Sequence, residues 1–267
     1  VRFKNPLDGD VVVDDLVRGK VVISNSELDD LIIARSDGTP TYNLTVVVDD
    51  LDMQMSHVIR GDDHLNNTPR QINILSALGA QLPTYGHLPM ILGGDGKRLS
   101  KRHGAVNVLQ YRDQGYLPQA LLNYLVRLGW SHGDQELFSI NEMIDLFDMK
   151  GVNRSAATFN PEKLLWINHQ TIINTSAVEL IDPLQPHLEA LSINTLQGPE
   201  LTAVIELQKE RCKTLVELAE ACRLFYGQLG DYNPKAAKKA FKGDPVGVLR
   251  LVRQKIDQID QTHWRAE

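Results

Sequence analysis

Over residues 1–35 the apolar positions come in short β-branched runs, VRF, VVV, VVI and LIIA, separated by the polar stretches NPLDGD, RGK and NSELDD. That alternation predicts small strands and hairpins. The turn signal SDGTP, Ser36 to Pro40, then changes the period. Leu44, Val47, Val48 and Leu51 fall at helical spacing and predict a helix from Thr41 to about Met53. SHVIRG reads as a short buried strand, DDHLNNTPRQINILSALG as a helix closed by Gly79, and HLPMIL as another buried strand. Helix, strand, helix, strand is α/β grammar.

After Gly104 the pattern is almost wholly helical. Pro118 opens LPQALLNYLVRLG, which Gly129 closes, and Asn160-Pro161 starts EKLLWINHQ. Capping boxes are expected at Ser139 with Glu142, Ser176 with Glu179 and Thr214 with Glu217, and Asn233-Pro234 and Asp244-Pro245 signal later helix starts. No apolar heptad persists and no solenoid period recurs, so the expectation is a run of short amphipathic helices. Tyr124, Trp130, Trp166, Phe225 and Tyr226 stand among apolar residues at helical spacing, which predicts core packing rather than base stacking.

With 267 residues, 42% hydrophobic and 23% charged, the chain has material for two domains or more. No run is apolar enough to span a bilayer or act as a signal segment, and the chain opens on Val1, so a cytoplasmic fragment with no membrane partner is expected. Cys212 and Cys222 share one helical stretch with no CxxC spacing or neighbouring His; reduced thiols are expected, with neither zinc nor disulfides. A net charge of −6 argues against wholesale adhesion to nucleic acid, and DNA is not expected as a partner, but a local basic face remains open.

Two basic clusters qualify. KAAKKAFK, with Lys235, Lys238, Lys239 and Lys242, reads either as a solvated helix face or as a face that contacts phosphates. GGDGKRLSKRHG, Gly93 to Gly104, joins a glycine-rich bend to Lys97, Arg98, Ser100, Lys101 and Arg102. Such a loop suits a polyphosphate whose charge migrates during reaction; a solvated basic loop or a nuclear-localisation-like patch is the plain alternative. In open α/β sheets ligands bind beyond the carboxyl ends of strands, which would set Arg60, Asp62, Asp63 and His64 on the same rim as this loop. Each has a plainer reading: Arg60 as an ion pair with Asp62 or Asp63, His64 as a cap or core-edge histidine, Tyr42 and Asn43 as turn residues.

Taken in order, SDGTPTYN, VVDD, HVIRGDDH, NTPRQ, a Leu-Pro strand and DGKRLSKRHG closely resemble the bacterial glutamate-tRNA ligases, class I aminoacyl-tRNA synthetases. The similarity extends to ALLNYLVRLGWSHGDQE and FNPEKLLWINH. RLSKR, Arg98 to Arg102, is similar to the family's KMSKS loop, with Arg where Lys is usual and Lys97 just before it. The resemblance implies a Rossmann-like nucleotide-binding half followed by an all-α C-terminal region. It implies attachment of L-glutamate to tRNA(Glu) through an adenylate, with ATP and its accompanying Mg2+. Lys101, Arg98, Lys97 and Ser100 would act on the leaving pyrophosphate, and Lys101, Asp63, Ile91 and Arg102 would hold ATP. Arg60 and Tyr42 would take the glutamate. Lys235, Lys238, Lys239 and Lys242 become candidates for RNA backbone contact.

No match to the class's His-Ile-Gly-His signature occurs in these residues, nor do zinc ligands. The expectation is therefore that the first half of the nucleotide fold precedes Val1 and that this polypeptide alone forms no adenylate. By the same resemblance residues 1–40 would end an inserted acceptor-binding domain and 41–106 would be the second half of the catalytic domain. Residues 107–174 would be stem-contact helices, and 175–267 the start of a helical anticodon-binding region. Three other readings stay open: a glutamine-tRNA ligase, a tRNA-modifying glutamylase of the same subclass, and a non-catalytic tRNA-binding module.

Overall fold

The alternation in DVVVDD becomes strand β1, Asp10–Asp15, with Val11, Val13 and Asp15 turned inward. The structure is a computed structural model, and it describes residues 1–100, 107–227, 234–243 and 245–258. Strand β2, Gly19–Ser24, pairs antiparallel with β1. Helix α1, Tyr42–Asp52, strand β3, His57–Gly61, helix α2, Thr68–Ala77, and strand β4, Thr84–Leu88, follow in the order the periodicity predicts. The sheet runs β2-β1-β4-β3, and β3 and β4 are parallel. It therefore crosses the boundary expected at residue 40, because β1 joins β4 in parallel at Asp15 and Tyr85.

Two small cores hold this half. Val11, Val13, Ile72 and Tyr85 seat α2 on the sheet, and Val47, Ile74 and Leu75 join α1 to α2. VRF and LIIA do not become strands: they make only isolated bridges, Arg2 to Ile32 and Ala34 to Pro40. Phe3, Leu31 and Ile33 instead cover the α1–α2 core, so their apolar surface goes to helix packing. HLPMIL likewise splits. Pro89 has no N–H to donate, β4 stops at Leu88, and Ile91–Leu92 forms a short β5 in a second sheet, parallel to β6, Ala157–Thr158. The helix expected from Asp62 begins only at Thr68, after a 3-10 segment over Asp62–Asn67.

The helical half comprises α3, Val108–Asp113, α4, Pro118–Gly129, α5, Ile140–Leu146, α6, Pro161–Asn174, α7, Ala177–Ala190, α8, Leu201–Gln208, and α9, Leu215–Tyr226. The capping boxes at Ser139 and Ser176 form in full. At Thr214 the hydroxyl caps Glu217 N–H, but the Glu217 carboxylate reaches the N–H of Lys213, one residue early. Leu117, Leu164, Ile167, Leu180, Leu184, Ile205 and Leu218 share one core, which runs unbroken across the boundary expected at residue 174. Asn168 stitches it: buried, it accepts from Leu117 N–H at 2.8 Å and donates to Lys213 C=O at 2.7 Å. Helices α10, Pro234–Ala240, and α11, Pro245–Asp257, follow.

Two side-chain expectations need correction. Trp166 is 40% exposed rather than core, with Lys163 Nζ 4.3 Å above its ring. Cys212 precedes α9 and does not share a helix with Cys222. Both thiols are buried and free, and burial pushes Cys222 up to about 11. Among the described residues no helix is long and apolar enough to cross a membrane.

Candidate functional site

Parallel pairing of β3 with β4 sets Arg60 directly opposite His87, so the two side chains emerge on one face of the sheet. Helix α2 lies across that face and offers Thr68 and Gln71, three residues apart and thus on one side of the helix. The Arg60 guanidinium is fully occupied on that flank: Nε donates to His87 Nε2 at 3.2 Å, and Nη2 donates to Thr68 Oγ1 and Gln71 Oε1, both at 2.8 Å. Among the described residues nothing accepts from Nη1, and no carboxylate lies within ion-pair distance of Arg60. Gln71 Nε2 in turn donates to Asn43 Oδ1 at 2.9 Å, which ties Arg60 to the first turn of α1. The Tyr42 hydroxyl, beside Asn43, lies 3.3 Å from His64 Nδ1.

Behind His87 stands Asp15, on β1. Its Oδ2 is 2.5 Å from His87 Nδ1, and its Oδ1 accepts the N–H groups of Val17, Arg18 and His87. Both side chains are wholly buried. An arginine Nε only donates, so His87 Nε2 must accept, and the ring proton sits on Nδ1, donated to Asp15. Burial drives the Asp15 carboxyl upward, but the hydrogen bonds from Arg18 N–H, His87 and Val17 N–H together outweigh it and leave it below the usual range. Tyr85 lies on the same face, its ring centroid 5.9 Å from the guanidinium carbon. Burial pushes its phenol up to about 12, against the pull of the Arg60 charge, so the ring stays neutral under the cation.

The strand exit carries Asp62 and Asp63, and each is bound to a cation from elsewhere in the chain. Asp62 pairs with Arg18, which also donates to Arg154 C=O at 2.9 Å; Asp63 pairs with Arg98 at 3.1 Å. Neither holds Arg60, so the plain ion-pair reading of Arg60 fails. The Arg98–Asp63 pair brings the basic loop to the same rim as Arg60. The stem of that loop is an ordered turn: Gly93 N–H donates to Lys97 C=O at 2.7 Å, and Leu92 bridges Arg98. Of its first three glycines only Gly96 takes positive φ, at 75°. Lys97, Arg98 and Ser100 are exposed. Ile91 C=O accepts from Leu99 N–H at 2.8 Å.

Lys101 and Arg102 lie outside the described residues. Lys235, Lys238, Lys239 and Lys242 are exposed, on α10 and just beyond it. Sequence reading passed over Asp15, Thr68, Gln71 and His87. A signal for Asp15 existed: it continues the inward positions of Val11 and Val13, and an acidic residue on an apolar face demands a partner. Among the described residues no cluster of three His, Cys, Asp or Glu groups would hold a metal. A cavity of about 820 Å³ between α3, α4 and α7 contains none of these residues, and its walls are mainly Leu, Pro and Tyr.

The sequence pattern of tRNA synthetases class I (E and Q), catalytic domain, matches residues 1–166, and that of an anticodon binding domain matches residues 179–267. A glutamate–tRNA ligase of Alkalilimnicola ehrlichii is 60% identical over 267 residues, and one of Coxiella burnetii is 59% identical over the same length. The chain spans 56% of the length of each. A crystal structure of a glutamate tRNA ligase from Elizabethkingia meningosepticum in complex with its amino acid superposes with a TM-score of 0.82 at 30% identity, covering 97% of this chain and 55% of that one. A second, from Elizabethkingia anophelis, gives 0.78.

Proposed function

The chain belongs to the class I tRNA synthetases (E and Q), and from that premise we propose that it supplies the amino-acid side and the mobile-loop side of an ATP-dependent, tRNA-glutamylating site. The observation that carries this reading is the Arg98–Asp63 contact, which sets the basic loop against Asp63, three residues beyond Arg60. A guanidinium for the amino acid and cations for the nucleotide then meet at one rim.

Arg60 holds the side-chain carboxylate of glutamate through Nη1, while His87, Thr68 and Gln71 keep its other donors occupied and its plane fixed. Tyr42 donates its phenol to the same amino acid. Glutamine would offer Nη1 a neutral amide oxygen in place of an anionic one, so a guanidinium favours the acid. The α-carboxylate of glutamate attacks the α-phosphate of ATP, giving glutamyl-adenylate and pyrophosphate; the acyl group then passes to the terminal ribose of tRNA(Glu). Arg98, Lys97 and Lys101, with Ser100 as a neutral donor, close on the leaving pyrophosphate, where negative charge grows. Arg102 and Asp63 border the nucleotide, and Ile91 meets adenine through its main chain. Arg98 must exchange Asp63 for phosphate, which ties loop movement to ATP arrival. Mg2+ would come with the ATP, held mainly by phosphates and water, since no ready-made cage is present among the described residues. Lys235, Lys238, Lys239 and Lys242 contact tRNA phosphates.

The test is a chimaeric ligase in which these 267 residues replace the matching segment of the Coxiella burnetii relative. It is expected to exchange pyrophosphate with glutamate and to charge tRNA(Glu), whereas the 267-residue polypeptide alone is expected to do neither. A chimaera that folds and binds tRNA but shows no glutamate-dependent exchange would favour the non-catalytic module instead. Efficient exchange with glutamine would favour the glutamine ligase.

A further inference from the structure

We propose that His87, held in one tautomer by Asp15, is the positioning residue for Arg60, so that the buried Asp15–His87 pair sets affinity for the substrate carboxylate without touching it. The inference rests on the reading of Arg60 as the carboxylate binder. Three observations carry it. First, His87 is the register partner of Arg60 across the two parallel strands, and its Nε2 is the only acceptor among the described residues for Arg60 Nε. Second, Asp15 is over-determined: three backbone N–H groups fix Oδ1, leaving Oδ2 aimed at His87 Nδ1 at 2.5 Å. Third, both groups are wholly enclosed, an arrangement that packing alone does not require and that costs desolvation unless each polar atom is matched.

The geometry has a chemical consequence. With its proton committed to Asp15, the imidazole can only accept at Nε2, and that lone pair receives Arg60 Nε at 3.2 Å and faces the Thr68 hydroxyl at 2.9 Å. Thr68 itself accepts from Arg60 Nη2. The guanidinium is thereby gripped along one edge by neutral acceptors. Among the described residues no carboxylate forms an ion pair with it, and the Asp50 charge acts on it only from beyond ion-pair distance. The positive charge thus stays available to an anionic ligand, and the edge bearing Nη1 keeps a fixed direction. Without the Nε2 acceptor the guanidinium would turn about its stem and carry Nη1 away from the direction in which it meets a carboxylate oxygen.

Two substitutions separate the two ends of the ring. In His87→Gln the amide oxygen reaches the place of Nε2 and keeps the acceptor for Arg60. In His87→Asn the shorter amide keeps a donor for Asp15 and loses Arg60. Pyrophosphate exchange by the chimaeric ligase is the assay, with KM for glutamate, KM for ATP and kcat measured separately. His87→Asn is expected to raise KM for glutamate about tenfold or more, as for loss of a hydrogen bond to a charged group, with kcat within about twofold and KM for ATP unchanged. His87→Gln is expected to stay within about threefold of the parent in KM for glutamate.

Equal effects of the two variants on KM for glutamate, or a joint loss of kcat and both affinities tracking a lowered melting temperature, would overturn the positioning role. Should His87→Asn fail to fold, His87→Gln decides: a tenfold rise in its KM for glutamate defeats the proposal. Arg60→Gln serves as the reference. If it leaves KM for glutamate unchanged, the assignment of Arg60 itself has failed; if it raises KM while His87→Asn does not, only the role of His87 falls.

Discussion

Asp15 carries more than its place at the end of a strand would indicate, and its stability contribution has a sign that follows from its lowered folded pKa. A carboxylate depressed on folding stabilises the native state above its unfolded value, near 3.8, and loses that contribution as pH falls through the lower folded value. Asp15→Asn is therefore expected to cost about 1–3 kcal/mol at neutral pH: the amide oxygen can keep the three backbone N–H groups, but the amide NH2 then meets the His87 Nδ1–H donor against donor. The gap between the two proteins should narrow as pH falls below the unfolded value near 3.8 and towards the lower folded one, where the parent also loses its charge. Urea titrations of both at neutral pH and at pH 3 measure this; a gap that stays constant would mean that Asp15 acts through packing alone. The pair Arg98–Asp63 is a different kind of contact. Arg98 is two-thirds exposed, so the pair adds little to stability and stands ready for exchange with another anion.

Among the elements, the turn between α3 and α4 depends most on a single glycine. Gly115 takes φ of 83°, and a Cβ there would lie 2.7 Å from Val216 N and 2.8 Å from Leu215 N, at the start of α9. Its carbonyl also receives the Leu215 N–H at 2.9 Å. Gly115→Ala should destabilise by at least about 1–3 kcal/mol, since both the backbone conformation and the contact are refused. A loss of under about 0.5 kcal/mol in thermal or denaturant unfolding would show that α9 can move away without penalty. Helix α7 makes the opposite point. It runs for 14 residues through Pro183 and Pro186, and its Leu180, Leu184 and Leu188, four apart, are buried to 1% exposure or less. Burial of three leucines on one stripe offsets backbone hydrogen bonds lost at two prolines. Sequence caps placed the start of α7 correctly, whereas the two prolines would have argued for a break.

At the scale of the molecule, an acidic chain with 28 Lys and Arg gathers them most densely in the loop after β5 and in the neighbourhood of α10. If the second place meets tRNA, replacing Lys238, Lys239 and Lys242 with Ala should weaken binding by the chimaeric ligase. It should also flatten the log–log dependence of affinity on salt by about 2, from the counterions no longer released. An unchanged slope would return these lysines to a solvated helix face. Short-range signals were enough to read the order of α1, β3, α2 and β4 and most helix starts, because periodicity and caps are written in neighbouring residues, while Tyr42, Arg60, Asp63 and Arg98 came forward as candidates through ordered motifs. They did not reach the partition of HLPMIL between two sheets or the use of Phe3 and Ile33 as helix cover. Nor could they reveal the line from Asp15 through His87 to Arg60, whose members are separated by 72 and 27 positions. Those outcomes turn on which strands pair and in what register, a competition among distant segments for the same buried surface and the same hydrogen bonds. Only the folded chain resolves it.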